Sequence, residues 1–240
     1  MVHPGILLKA SFDASRAFFR PAPLAGASAA PVSVMVPIRS IGPGHAERIA
    51  VHLLALSPED RYLRFGYAAN DEQVRRYVDG LNFERDEIFG IYNRNLALIA
   101  MAHLAFAADP ELKSCAEFGV SVLAHARGRG YGARLFERAV VHARNEGVQM
   151  MFIHALSENT AMLSIAQKAG ATLERDGAET EAYLKLAPAD IDSRVAELLE
   201  EQLAQANYRL KVQARQFLDF LAMLQEIRQG VRASRDRMRK

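Results

Sequence analysis

Hydrophobic and polar positions along the chain follow two periods, and their order predicts a mixed α/β domain. The apolar run Val32–Ile38 predicts a first strand, and apolar residues three or four apart then predict two or three helices between 45 and 81. Two apolar runs on either side of Asn-Arg-Asn, at 86–92 and 96–107, predict a β-hairpin. A third antiparallel strand is predicted at 116–124.

The following segment alternates helices with strands and closes with a second hairpin. A helix is predicted at 133–146, a strand at 148–156, and a further helix at 159–170 with Asn159 as its N-cap. The turn Asp176-Gly177 separates two short strands, which predicts the final hairpin. The element order is therefore strand, helices, three antiparallel strands, helix, strand, helix and two strands.

The same periodicity divides the chain into three parts. Residues 33–187 carry the strand signals and form one mixed α/β domain. Residues 1–32 contain few acidic residues, and we expect a flexible N-terminal arm; Arg16 and Arg20 among Ser and Ala leave a targeting peptide as an alternative. Across 188–240 no strand signal remains, and one long helix is predicted.

The helix predicted for 188–240 carries a long apolar stripe. The α/β domain of the same chain could cover only a part of this stripe. Counted in heptads from Leu203, all a and d positions except Gln213 are apolar: Ala196, Leu199, Leu203, Ala206, Leu210, Phe217, Phe220, Leu224, Ile227 and Val231. Adjacent apolar residues such as Leu198 widen the stripe, which favours a bundle over a two-stranded coiled coil. We therefore expect a homodimer or a higher homo-oligomer through this helix.

Composition narrows the class of protein. The chain has 240 residues, of which 50% are hydrophobic and 24% charged, so a substantial core is expected. The formal net charge of +2 gives no reason to expect a nucleic-acid or membrane partner, and no apolar run approaches the roughly 18 residues of a membrane span. Cys115 is the single cysteine, which excludes an internal disulfide and fits a cytoplasmic protein. No metal site is expected.

The stretch RGRGYG, Arg127–Gly132, lies between a predicted strand and a predicted helix, where backbone N–H groups commonly bind phosphate. A P-loop would end in Gly-Lys-Ser/Thr, and Gly132 is followed by Ala-Arg instead. Gly128, Gly130 and Ala133 formally satisfy the dinucleotide-binding fingerprint. That fingerprint should open the first βαβ unit, however, whereas this one follows an antiparallel hairpin.

A third pattern, Arg-x-x-Gly-x-Gly, is filled by Arg127, Gly130 and Gly132, and Asn159 and Gly170 follow it in a second motif. On these two motifs and the element order, the whole α/β domain resembles the GNAT superfamily of N-acetyltransferases. The resemblance implies a mixed α/β GNAT fold, in which helices flank a central, mostly antiparallel, splayed sheet. It also implies acetyl-CoA as the co-substrate and a primary amine as the acceptor.

By the same resemblance, the glycine-rich turn and the strand before it bind coenzyme A. The backbone groups of Val120 and Val122 would pair with the pantetheine arm, and glycines let the backbone approach the pyrophosphate. The positive end of the helix, with an arginine beside it, would stabilise the phosphate charge. The residues implied in cofactor binding are Val120, Val122, Arg127, Gly128, Arg129, Gly130, Gly132, Ala133 and Asn159.

Acetyl transfer requires a neutral amine, and a lysine-type amine has a pKa of about 10.4, so a general base is expected. The first candidate is Glu117, which the resemblance places on the central strand. His154 and His103, in strands that would flank the cleft, are the other candidates. Many superfamily members carry a tyrosine as general acid seven residues after the motif asparagine, but Ala166 stands there, and the source of that proton is open.

The acceptor is less constrained by the sequence. Ser57–Gly66 looks like a segment of bacterial protein-lysine acetyltransferase domains, in which Tyr62 and Arg64 would be pocket residues. A helix-capping loop would have the same features, so a small amine and a protein lysine both remain open. Two functions without catalysis also remain open: an acyl-CoA sensor, which the loss of the tyrosine at Ala166 would permit, and an assembly module built on the C-terminal helix.

Overall fold

A computed structural model of the chain describes residues 36–109, 114–177, 179–189 and 191–237, without the side chains at 176, 179, 191–193, 217 and 220–237. The arm predicted at 1–32 lies outside these residues. Within them, the order of strands and helices agrees with the predicted one. No helix in the described ranges is long and apolar enough to cross a membrane.

Seven strands and six α-helices make up the described fold. The strands are β1 (Arg39–Ser40), β2 (Glu87–Tyr92), β3 (Leu98–Phe106), β4 (Cys115–Val122), β5 (Met150–Leu156), β6 (Thr172–Asp176) and β7 (Glu179–Lys185). The helices are α1 (Ala46–Leu54), α2 (Pro58–Phe65), α3 (Asp71–Asp79), α4 (Tyr131–Asn145), α5 (Thr160–Lys168) and α6 (Ile191–Arg237).

The first strand within the described residues, β1, begins at Arg39, after the end of the strand predicted at Val32–Ile38. Residues 36–38 of the predicted strand are not in a strand, and residues 32–35 lie outside the described part of the chain. β1 instead pairs Arg39 with Gly90 on β2. Pro37 has no N–H to donate to a sheet, which disfavours a strand there. Val36 and Ile38 are apolar because they pack, partly buried, against the core.

The seven strands form one sheet in the order β1-β2-β3-β4-β5-β7-β6. The pair β4–β5 is parallel and the other pairs are antiparallel, which confirms the predicted mostly antiparallel sheet. β4 and β5 are paired only from Cys115–Met150 to Glu117–Phe152, and they separate beyond that point. The predicted splay of the central strand is therefore present, and it creates an opening between β4 and β5.

Helices cover both faces of the sheet, and each face has its own apolar core. Phe118 of β4 packs with Leu135 and Phe136 of α4 on one face. Ile49 of α1 and Val74 of α3 belong to the core on the other face. Because side chains alternate along a strand, one face of β4 contributes to the core under α4 while the other is left for the cleft described below.

The prediction of one long C-terminal helix is confirmed, since α6 runs unbroken over 47 residues. At 1.5 Å per residue its length is about 70 Å. The helix contacts the domain through a mainly polar stripe that recurs every three or four residues, which we call the docking face. It consists of Glu197, Glu201, Ala204, Gln205, Tyr208, Lys211 and Arg215.

Apolar residues of α6 outside the docking face are exposed. Val195, Leu198, Leu199, Leu203, Leu210 and Leu218 are each between 52% and 64% exposed, and we call them the exposed apolar face. The predicted apolar stripe also includes Phe217, Phe220, Leu224 and Ile227, whose side chains lie outside the described part of the structure. The domain therefore holds α6 by a face that the heptad pattern did not identify, and leaves the apolar face uncovered.

Candidate active site

A cavity of about 650 Å³ opens where β4 and β5 separate. Its floor is formed by the splayed strands, and its walls come from the end of α2, the start of α5 and the hairpin β6–β7. The lining residues are Leu63–Gly66, Glu117–Val120, Ile153–Leu156, Asn159, Met162, Glu174, Arg175, Thr180 and Glu181. The end of α2 and the last hairpin thus both border the cleft.

The backbone of β4 directs polar groups without a strand partner into this opening. Leu123 donates its N–H to the Ile99 carbonyl at 3.0 Å, and the Cys115 carbonyl accepts a hydrogen bond from the end of β3 at 3.2 Å. The odd-numbered residues of β4 therefore direct their N–H and C=O groups towards β3. Since backbone groups alternate along a strand, Val120 and Val122 direct theirs towards β5, from which β4 has separated.

The glycine-rich turn lies at the carboxyl end of β4. Gly128 and Gly130 both adopt φ of +74°, a conformation that favours glycine, and a Cβ on either would have no atom within 4 Å. α4 begins directly after Gly130, with no side chain capping its first turn. The N–H groups of Tyr131, Gly132 and Ala133 precede the first helical hydrogen bond, so they are available to an anion.

Gly132 and the two arginines shape this turn. A Cβ on Gly132 would lie 3.3 Å from Ile165 Cδ1, so the glycine permits close packing of α4 on α5. Arg127 forms an ion pair with Asp60 of α2, and its Nε donates to the Val122 carbonyl at 3.2 Å. Arg129 is exposed. Both arginines are exposed to solvent, and Arg127 also joins the turn to β4 and α2.

Asn159 joins the start of α5 to the cleft. Its Oδ1 accepts the Met162 N–H at 3.2 Å, which confirms the predicted N-cap, and its Nδ2 lies 3.5 Å from the Leu63 carbonyl of α2. Ala166, in the position where a tyrosine was expected, is fully buried in the core and does not line the cleft. No tyrosine is found among the described residues that line it.

The candidate bases are placed differently. Glu117 is exposed to the cleft at the last paired position of β4, opposite Phe152. His154 also lines the cleft, and its exposed ring lies with Nδ1 3.7 Å from Glu181 Oε1. His103 does not line the cleft; both of its ring nitrogens are hydrogen-bonded within the protein. The structure thus brings Glu117 and His154 to one cavity and excludes His103 from it.

His103 belongs to a hydrogen-bonded chain that ends at the cleft. Arg64 Nη2 donates to the Tyr77 hydroxyl at 2.9 Å, and that hydroxyl lies 2.7 Å from His103 Nδ1, to which it donates its own hydrogen when His103 is neutral. His103 Nε2 then carries the ring hydrogen and donates to Asp86 Oδ2 at 3.1 Å. Arg85 pairs with the same carboxylate at 2.7 Å. These directions require a neutral His103.

The pKa of His103 agrees with that neutral state. Burial is the largest effect and lowers the pKa, while the hydrogen bond to Asp86 opposes it and the charge of Arg64 lowers it further. For Asp86, burial would raise the pKa, but the bonds from Arg85 and His103 outweigh it and lower the pKa. Near neutral pH, this hydrogen-bonded chain of side chains therefore keeps fixed proton positions behind Arg64.

The segment that carries Arg64 was predicted to supply two pocket residues, and it supplies one. Arg64 lines the cleft, whereas the Tyr62 side chain is exposed and does not. The Arg64 guanidinium lies on Gly119 of β4, because a Cβ there would be only 2.7 Å from Arg64 Cζ. The segment forms α2, with Ser57 accepting the Asp60 N–H at 3.2 Å as its N-cap.

A buried His–Ser pair beneath β4 was not identified from the sequence. His52 of α1 donates its Nδ1–H to the Leu98 carbonyl at 3.0 Å, and its Nε2 accepts the Ser121 hydroxyl hydrogen at 2.8 Å. Burial lowers the pKa of His52 to about 4, with the bond to Leu98 opposing the shift. The feature of the sequence that could have indicated this pair is a histidine among the apolar positions of a predicted helix.

Comparison with known families decides the class of the protein. A sequence profile of the acetyltransferase (GNAT) family matches residues 51–171. The chain belongs to the GNAT family. As a GNAT acetyltransferase it is an enzyme that uses acetyl-CoA as its co-substrate. No group of three or more His, Cys, Asp or Glu residues in the described ranges could hold a metal ion.

Solved GNAT structures share the fold at low sequence identity. The GNAT domain of S. lividans PAT is 23% identical, with a TM-score of 0.53 over 62% of this chain and 89% of that domain. A GNAT-family acetyltransferase from Streptococcus pneumoniae is 13% identical, with a TM-score of 0.50 over 62% of this chain and 98% of its own. None of the curated proteins compared with the chain matches it.

Proposed function

We propose that this GNAT enzyme transfers the acetyl group of acetyl-CoA to a primary amine by direct attack within a ternary complex. The separation of β4 from β5 beyond Glu117 and Phe152 is the observation that carries the proposal. It leaves the backbone groups of Val120 and Val122 facing the cleft without a strand partner. The amides of the pantetheine arm can add to this edge as a peptide adds to a sheet.

The pyrophosphate of the co-substrate is assigned to the turn between β4 and α4. Gly128 and Gly130 allow close approach, and the first N–H groups of α4, as far as Ala133, donate to the phosphate oxygens. Arg129 adds positive charge from the solvent side. The ion pair of Arg127 with Asp60 fixes the turn against α2. Asn159, at the mouth of the same cleft, is assigned to the pantetheine arm.

Glu117 is assigned as the general base. At pH 7 an amine with a pKa of about 10.4 is neutral at a cost of roughly 4 to 5 kcal/mol, which a nearby carboxylate and a desolvating cleft can offset. The neutral nitrogen attacks the thioester carbonyl carbon, and the Val120 N–H stabilises the resulting oxyanion. The C–S bond then breaks and the thiolate leaves. His154, on the facing strand, is the second candidate base.

The thiolate is proposed to take its proton from solvent. Ala166 is buried away from the cleft, and the cleft has no tyrosine among its described lining residues. The carboxyl groups Glu174 and Glu181 and the ring of His154 are on the exposed side of the cavity, where water has access. The attacking nitrogen loses two protons in all: Glu117 takes one from the ammonium, and a second leaves after the C–N bond has formed. Both pass to solvent and the thiolate takes one back, so the reaction balances with one proton released.

We also propose that a second copy of the chain covers the exposed apolar face of α6, with residues 33–187 as the catalytic domain and 188–240 as the oligomerisation segment. Burying Leu199, Leu203 and Leu210 would each contribute roughly 1.5 to 3 kcal/mol. Identical stripes are complementary to each other about a two-fold axis. The enzyme is proposed to act in the cytoplasm, because Cys115 is its only cysteine.

A thiol-release assay with acetyl-CoA tests the enzymatic proposal. The full-length protein is mixed with acetyl-CoA and a panel of small primary amines and lysine-containing peptides, and free coenzyme A is titrated with a thiol reagent. Amine-dependent release, with the acetylated amine identified by mass spectrometry, is the expected result. If the protein binds acetyl-CoA but releases no coenzyme A with any of the amines, the result would instead support an acyl-CoA sensor.

A further inference from the structure

We propose that Arg64 binds a carboxylate of the acceptor, so that the acceptor is a small amino acid whose amine and carboxylate are a few bonds apart. This inference rests on the proposed acetyl transfer and names its substrate class. The observations that carry it are the position of Arg64 in the cleft, the groups that hold it there, and the absence of a counter-ion in the described part of the chain.

Arg64 occupies a space that the sequence of β4 keeps free. Its guanidinium lies against the backbone of Gly119, where a Cβ would be 2.7 Å from Cζ and 2.8 Å from both terminal nitrogens. Any other residue at 119 would displace the guanidinium from the floor of the cleft. Gly119 and Glu117 lie on the same face of β4, so Arg64 and the proposed base border the same part of the cavity.

Arg64 is held from behind by neutral groups only. Tyr77 accepts its hydrogen bond, and the neutral His103 behind Tyr77 is in turn oriented by Asp86. The Tyr77 ring also lies 5.5 Å from Arg64 Cζ, within the range of a cation–π contact. The negative charge at the far end of this chain is already paired with Arg85. The chain therefore fixes the direction of the guanidinium without neutralising it.

The positive charge of Arg64 lacks a partner in the described structure. None of the described carboxylates, Glu117 included, forms an ion pair with it within 4.0 Å. Its Nε is buried and has no hydrogen-bond partner among the described residues. Partly buried cations without a partner are costly, and the planar guanidinium matches a carboxylate with two parallel hydrogen bonds. A carboxylate in the cleft would complete this site.

The position of Glu117 favours the acceptor as the source of that carboxylate. The acetyl group is uncharged, so the acyl donor supplies none. Residues two apart on a strand are roughly 7 Å apart, which places the amine at Glu117 and a carboxylate at Arg64 within the span of one short amino acid. The other arginine of the cleft, Arg175, is on the exposed hairpin and is not aligned with Glu117 on β4.

Matched acceptor pairs test this assignment directly. The wild-type protein is assayed for kcat/KM with amino acids of increasing chain length and with the corresponding amino amides, which keep the amine and lose the charge. Arg64→Gln, Arg64→Lys and Tyr77→Phe are compared with Arg175→Gln, a variant that removes an equal charge from the same cleft. Acetyl-CoA affinity and thermal unfolding are measured for each variant, so that loss of the fold or of the co-substrate is recognised.

The expected result is a preference of about 10- to 100-fold for one amino acid over its amide, the range of a hydrogen-bonded charge. Arg64→Gln should remove the preference mainly through KM, Arg64→Lys should restore part of it, and Arg175→Gln should retain it. Equal use of acids and amides by the wild type would overturn the inference and leave the acetyltransferase intact. A preference for succinyl-CoA over acetyl-CoA that depends on Arg64 would also overturn it, by assigning the carboxylate to the acyl chain.

If no amine is acetylated, the proposed function fails, and carboxylate binding is then measured by itself. Calorimetry with the same amino acids in the presence of coenzyme A reports it without turnover. Binding that Arg64→Gln abolishes and Arg175→Gln retains would support the Arg64 site even then. Binding of no amino acid, or binding that Arg64→Gln leaves unchanged, would overturn it.

Discussion

Arg138 of α4 and Glu197 of α6 form an ion pair at 2.5 Å in which the arginine side chain is only 4% exposed. His142 and Asn145 of α4 also donate to Glu197. Burial alone would raise the pKa of Glu197, but these hydrogen bonds and the charge of Arg138 lower it to about 2. The helix that begins at the glycine-rich turn is thus held by the C-terminal helix. Because the folded pKa is depressed, this contact stabilises the protein above pH 4.5 and is lost as the pH falls towards 2.

The first prediction concerns this contact. Glu197→Ala should lower the free energy of unfolding by about 2 to 3 kcal/mol, because Arg138 would stay buried with only Glu201, at 3.6 Å, as a partner. Glu200→Ala, at an exposed position on the same helix, should change it by less than about 0.5 kcal/mol. Urea unfolding followed by circular dichroism measures both. Equal stability of the two variants would show that the ion pair does not hold α6.

The second prediction concerns the exposed apolar face of α6. Leu199→Asp combined with Leu210→Asp should convert the expected homo-oligomer to a monomer that still binds acetyl-CoA, since both leucines face away from the domain. Asn207→Asp with Gln216→Asp adds the same charge at polar positions of the helix and should keep the oligomer. Sedimentation velocity at micromolar concentration gives the answer. A monomeric wild-type protein with a helical tail would contradict self-association.

Removing the helix altogether is a poorer test of self-association. A chain ending at Leu186 would lack Glu197 and Glu201, and the buried guanidinium of Arg138 would then have no carboxylate partner of α6. Any change in oligomeric state would be confounded with a loss of stability. The paired aspartate variants avoid this, because they leave the docking face unchanged.

The third prediction concerns the general base. Glu117→Gln should lower kcat/KM at neutral pH by about 100-fold or more, and raising the pH should recover part of the loss because more of the amine is then neutral. Glu181→Gln, another carboxylate on the cleft wall, should have a much smaller effect. An unchanged pH–rate profile in Glu117→Gln, with a large loss in His154→Gln, would transfer the role to His154.

The fourth prediction concerns the buried pair His52 and Ser121. Because the folded pKa of His52 is about 4 and the unfolded value about 6.5, the unfolded chain binds more protons between these pH values. The free energy of unfolding should therefore fall by up to about 3 kcal/mol as the pH decreases from 6.5 to 4. In His52→Leu combined with Ser121→Ala, the slope of unfolding free energy against pH should be smaller. Identical slopes in urea titrations would show that His52 does not remain neutral in the fold.

Much of the fold could be predicted from the sequence, because hydrophobic periodicity, helix-capping residues and glycines that end helices depend on local structure. The N-cap Asn159 is present as expected, and Asn70 and Gln73 form a capping box, a local sequence pattern of the same kind. The strand predicted at Val32–Ile38 is absent at residues 36–38, because apolar alternation also describes residues that pack on the core without joining the sheet, as Val36 and Ile38 do. Pairing depends on a distant partner, which periodicity does not report.

The docking face of α6 and the Arg64 chain could not be predicted for a related reason. Glu197, Tyr208 and Lys211 look like the solvated face of an amphipathic helix, and only the folded domain supplies their partners on α4 and β2. Similarly, Tyr77 and His103 are 26 positions apart, and no spacing rule joins them. The heptad count correctly identified the apolar positions of α6. It predicted contacts only through those positions, however, and not through the docking face.

Calorimetric titration with acetyl-CoA tests the central claim, that the splayed cleft and its glycine turn bind this co-substrate. The wild-type protein should bind it with a micromolar or lower Kd. Gly130→Asp should abolish binding by placing a negative charge where the pyrophosphate lies. Gly147→Asp, which introduces the same residue at a similar positive φ at the far end of α4, should bind as the wild type does. Binding by Gly130→Asp equal to that of Gly147→Asp would contradict the assignment of the turn, and no binding by the wild type would contradict the account as a whole.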